Sequence, residues 1–123
     1  MSSVHEVAGF AIVGGFFLFF LWGVVLLIAR RGPGAWYWRL LALLQVALAL
    51  QLVAGVVLLA MGRSQPILHY LYGALFPAVV LVVAHVLGRG MDEERDVLKV
   101  FVVASFVAFG LTLRALATGL GIG

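Results

Sequence analysis

The stretch HYLYGALFPAVVLVVAH, His69–His85, lies inside a run from Pro66 to Gly88 that contains no Lys, Arg, Asp or Glu. An apolar run of that length exceeds the roughly 20 residues that carry a helix across the hydrocarbon core of a bilayer. The stretch therefore reads as a membrane span opened by a histidine. Tyr70 and Tyr72 flank the imidazole at the depth where aromatic rings collect near headgroups. Pro77 cannot donate to the Gly73 carbonyl, which predicts a kink.

Working outward, three more apolar runs appear: Val7–Ala29, Leu40–Gly62 and Val97–Leu120. The last carries Lys99 and Arg114 near its ends, where long cationic side chains can snorkel to the interface. Of the 123 residues, 65% are hydrophobic and 11% charged; a soluble domain has about a quarter charged. The expectation is a single all-α domain, an integral membrane four-helix up-down bundle, with spans at about 4–30, 37–62, 65–89 and 92–118. Short loops make sequential helices antiparallel neighbours.

The net charge of +3 comes from arginines at the loops. It points to orientation in a lipid bilayer and not to nucleic acid. Arg30, Arg31 and Arg39 flank the first loop, and Arg89, Arg95 and Lys99 the third; only Arg63 and Arg114 fall on the other side. The positive-inside rule then predicts a multi-pass cell-membrane protein with both termini outside. Without cysteine, disulfides, thiolate metal sites and covalently attached haem are excluded. The first span lacks a basic leader and a cleavage pattern, so it is expected to be a true span.

A twin of HYLYG stands near the N-terminus: HEVAG, His5–Gly9. Both read His-x-x-x-Gly, both open a span, and the two are 64 residues apart. First and third spans of an up-down bundle run in the same direction, so His5 and His69 share one depth. Two facing imidazoles, with Gly9 and Gly73 each one turn deeper, could ligate a haem iron from both sides. The plainer alternative is a wet terminal histidine and glycines used for helix packing. Ser3 and Glu6 suggest a capping box for the first helix, and Ser64 and Pro66 a start for the third. Gln45 and Gln51 read as buried amides; Gln51 could bond a cofactor edge or an ordered water, and an interhelical hydrogen bond is the expected role. His85 lies about 160° around the helix from His69 at 100° per residue and is expected at the opposite interface. Trp36, Tyr37 and Trp38 read as an interfacial aromatic cluster. Arg114, with Gly110 one turn deeper, is a candidate partner for a haem propionate, and Arg63 a weaker one. The repeat is expected to fade in the second helix of each pair, where no counterpart to Gln51 and Gly55 stands out.

HEVAGF, LLQVALALQLVAGVVLLAMG and HYLYGALFPAVVLVVAH together resemble one half of haem A synthase, across nearly the whole chain. The likeness implies axial-ligand roles for His5 and His69 and b-type haem as cofactor. With one bundle and no cysteine pair, the chain is most similar to a small four-helix membrane cytochrome b. Electron transfer or haem handling is then expected in preference to catalysis, alone, as a homo-oligomer or in a larger membrane complex. The competing reading is a cofactor-free accessory subunit of such a complex. A small proton-coupled transporter fits less well, because the acids, Glu6 and those of 92–96, sit at the ends of spans.

Overall fold

The computed structural model describes residues 2–121. They form four helices: α1 (Ser2–Ala29), α2 (Gly34–Ala60), α3 (Ile67–Arg89) and α4 (Glu94–Gly119). All four are long and apolar enough to cross a membrane. α1 and α2 are apolar around their whole circumference, as in helices that meet side chains on one face and lipid on the other. Val4, Leu18, Val25, Ile28, Leu50 and Val53 are among the large apolar residues left on the outer surface.

The closest seam runs between α1 and α4. α4 presents small buried residues there, including Ala104, Ser105, Ala108 and Thr112, against the large Phe16 and Phe19 of α1 in one core. Small-on-large complementarity lets the helices approach where hydrophobic driving force is absent between spans. α2 instead buries Leu41, Leu44 and Leu48. Gly15 of α1 makes room for them, because a Cβ there would lie 2.5 Å from Leu44 Cδ2.

The second half of the chain repeats the first. Tyr37, Leu41, Leu44 and Leu48 of α2 correspond at a spacing of 64 to Phe101, Ser105, Ala108 and Thr112 of α4, and all eight are buried. The expectation that the repeat stops at the second helix is therefore corrected. It was obscured because the matching positions differ in size, large on α2 and small on α4. In α1 and α3 the buried positions match at 65: Ile12, Phe16 and Phe19 with Pro77, Leu81 and Ala84. The extra residue has a visible cause. Leu71–Leu75 is a π-helical turn, with Phe76 N–H donating to Leu71 O. A π turn inserts one residue and shifts all that follows by about 100°. Pro77, which removes one N–H, stands just beyond this turn.

The helix ends differ from expectation in detail. α1 is already helical at Ser2, so Ser3 lies inside the helix, not at its cap. α3 starts at Ile67 with no side-chain cap from Ser64; its Tyr70 hydroxyl instead accepts from Gln65 N–H at 3.0 Å. Arg30, at φ 56°, is the left-handed residue that ends α1, close to the expected end of the first span. Arg31 N–H donates to Leu26 O at 3.0 Å, and the Arg95 guanidinium of α4 donates to Leu27 O at 3.2 Å. Tyr37 departs most from its expectation. It is not interfacial but fully buried, stacked on Phe19 at 4.2 Å and edge-on to Trp22 and Trp38.

Candidate functional site

At the end of the bundle where α1 and α3 begin and α2 and α4 finish, a cavity of about 420 Å³ opens among all four helices. His5, Gly9, His69, Gly73 and Arg63 all line it, as do Gln51, Gly55, Ala115 and Gly119. Most of these form pairs under the 64-residue repeat: His5 with His69, Gly9 with Gly73, Gln51 with Ala115, Leu52 with Leu116, Gly55 with Gly119. The cavity thus has a pseudo-twofold wall, with one imidazole from each half.

The ring centroids of His5 and His69 are 6.2 Å apart and the planes 63° from parallel. Two imidazole nitrogens on one metal, each about 2.0–2.1 Å from it, place ring centroids roughly 6 Å apart. The observed 6.2 Å separation is close to that value.

His69 is fixed by α4. Its Nδ1 lies 2.8 Å from Ala115 O. A carbonyl only accepts, so Nδ1 is the donor, and in the neutral ring Nε2 keeps its lone pair. Commitment of one ring nitrogen to a backbone carbonyl is the usual way a histidine is prepared as a ligand. Thr118 Oγ1 also donates to Ala115 O at 2.9 Å. Gly119 completes the bed, since a Cβ there would come within 2.8 Å of His69 Cε1.

His5 is held differently. Gln51 Nε2 donates to its backbone carbonyl at 2.6 Å, the interhelical bond expected of that amide. The bond anchors the first turn of α1 and leaves the ring free. Gly55 lies under this ring, its Cβ position 3.6 Å from Cε1. His5 Nδ1 is buried without a hydrogen-bond partner among the described residues. A buried polar atom in that state costs about 1–3 kcal/mol, which a ligand could offset.

Other expected site residues take different places. Gly9 and Gly73 line the cavity, but their bare Cα atoms chiefly admit neighbouring helices. A Cβ on Gly9 would meet Leu116 at 3.4 Å, and one on Gly73 would meet Ala115 at 3.3 Å. The glycines facing the imidazoles are Gly55 and Gly119, on the partner helices. Arg63 stands at the rim with Glu6 and Gln65. Arg114 does not line the cavity; it is exposed, 5.9 Å above the Tyr72 ring. Gly110 has nothing within 4 Å of its Cβ position. His85 lies away from this cavity and pairs with Gln45 at 2.7 Å. The ring beds escaped sequence reading because they sit on other helices. Extending the 64-residue spacing through Leu52–Gly55 and Leu116–Gly119 would have revealed them.

Among the described residues no three His, Cys, Asp or Glu side chains converge on a common point. Two imidazoles alone hold a bare ion weakly, so a ligand bringing its own donors suits this cavity better. Fold and site define a class: a four-helix bundle of membrane-span helices, built as two repeated hairpins, with paired histidines at one mouth. No known protein family, curated protein or solved structure matches the chain.

Proposed function

We propose that the protein is a membrane cytochrome that binds one b-type haem between His5 and His69. The observation that carries this reading is the 6.2 Å spacing of two imidazoles supplied by repeat-related turns. Support comes from the His69 Nδ1–Ala115 O bond, which leaves Nε2 free to ligate, and from the unpartnered Nδ1 of His5. The cavity volume also falls within the roughly 300–1,000 Å³ of small-molecule sites.

In this reading α4 orients His69, Gln51 pins the backbone of His5, and Gly55 and Gly119 keep the rings upright. The apolar walls, including Leu48, Leu52 and Leu116, exclude water from the macrocycle faces. Arg63 at the rim is the cation nearest to where propionates would meet water. Haem held between His5 and His69 would supply a one-electron couple, and electron transfer or haem handling would follow in preference to catalysis. Both termini and the haem lie on the outer side of the cell membrane, by the distribution of arginines.

The test is spectroscopic. His69→Ala should abolish the low-spin reduced spectrum of the purified protein, and His85→Ala should leave it intact. The reverse pattern would move the site to the other end of the bundle. A wild-type protein that takes up no haem would return the chain to the accessory-subunit reading.

A further inference from the structure

The two halves of the bundle are related by the repeat, yet its two cross seams are not alike. Between α1 and α4 the helices are in close contact, and Gly9 meets Leu116. The repeat-related seam lies between α2 and α3, where Gly73 and Leu52 should meet. They do not. The Cβ position of Gly73 touches only Ala115 of α4, with no atom of α2 within 4 Å. α2 and α3 have almost no positions at which their backbones come within 8 Å. Their far ends are joined by the His85–Gln45 hydrogen bond at 2.7 Å, and their near ends by the short loop between Ala60 and Ile67. Between these ties the seam leads into the His5–His69 cavity past Leu52, Val56 and Ala74.

We infer that this open seam is a lateral portal, through which the cavity takes its ligand from the bilayer and not from water. The chemistry of the route selects a flat, apolar macrocycle with a polar edge. Leu52, Val56 and Ala74 offer no hydrogen bonds to a ligand that needs them, so the faces of the ring pass along hydrocarbon. The charged groups of the lining, Glu6 and Arg63, are exposed at the rim together with Gln65. A ligand carrying carboxylates on one edge therefore enters with that edge kept at the water interface. The opposite seam cannot serve, because Gly9, Leu116 and the small residues of α4 close it.

The portal rests on the haem reading for the identity of its ligand, but its existence is testable without haem. The native chain has no cysteine, so introduced thiols are unique. The α2 and α3 backbones are mostly too far apart for a disulfide. Val56→Cys with Ala74→Cys is therefore to be bridged by a short bis-maleimide in membranes. Bridging before exposure to haem-loaded vesicles should slow haem uptake at least tenfold relative to either single-cysteine variant. Bridging after loading should leave the spectrum unchanged. Equal uptake by bridged and unbridged protein would overturn the portal and place access at the polar rim. If no variant binds haem, the functional reading fails and a nitroxide on Ala74→Cys decides the portal. More frequent collision with dissolved oxygen than with a water-soluble nickel chelate supports it; the opposite order overturns it.

Discussion

His69 and His5 differ in how much of each imidazole is already spoken for. His69 spends Nδ1 on Ala115 O and rests on Gly119; His5 has a pinned backbone and an unpartnered ring nitrogen. The bed under His69 is the more sensitive to change. Gly119→Ala would put a methyl 2.8 Å from Cε1 and must turn the ring from its carbonyl. Loss of such a supporting contact typically costs 10- to 100-fold in metal-ligand affinity, so haem titration of Gly119→Ala should show about that weakening. Gly110→Ala, with open space around it, should bind like wild type, and equal affinity in both variants would remove the bed from the account. Among the cations, Arg63 lines the cavity rim and Arg114 faces Tyr72. Arg63→Gln should destabilise the reduced haem by roughly 1 kcal/mol and lower its potential by some tens of millivolts. Arg114→Gln should change the potential less, and potentiometric titration of the two variants decides between them. The histidine pair was legible because His-x-x-x-Gly occurs twice at the mouths of parallel spans. The beds were not, because glycine is so common in these helices that only tertiary contact separates a bed from a packing position.

At the level of the helix, the π turn Leu71–Leu75 sets the aim of His69. It lets the mouth of α3 keep the 64-residue register of the site while the body of the helix packs at 65. Deleting Leu75, whose side chain is largely exposed, should remove the extra residue together with the π turn, leave ordinary α-helix at the 64-residue spacing throughout and keep His69 aimed into the cavity. The expected result is a protein with unchanged helical circular dichroism and haem bound as in wild type. Loss of haem in the deletion variant would show that the turn does more than absorb the extra residue. Pro77 made an interruption of the regular hydrogen bonding legible at this place, since a missing N–H must free a carbonyl. The inserted residue of the π turn was not legible, because an extra residue shows only when buried positions of the two halves are aligned in space. Tyr37 was misplaced for a related reason. Its neighbours Trp36 and Trp38 suit an interface, but Phe19, Trp22 and Gly23 of α1 form a slot that takes the phenol ring into the core.

For the whole molecule, four long apolar runs and short loops were enough to read an all-helical bundle. The repeat was only half legible, because steric compensation replaced Leu41, Leu44 and Leu48 with Ser105, Ala108 and Thr112. Orientation can be tested directly in the cysteine-free chain. A cysteine at Ser2 should react with an impermeant maleimide from outside intact cells, and one at Gly32 only after lysis. Labelling of the Gly32 position from outside would invert the proposed arrangement. The central claim, that His5 and His69 share one haem, is tested most directly by the visible absorption spectrum of the purified protein, oxidised and dithionite-reduced. The account predicts one haem per chain with the sharp low-spin bands of bis-imidazole ligation, lost in both His5→Ala and His69→Ala. A haem-free protein after reconstitution, or a spectrum indifferent to both substitutions, would contradict it.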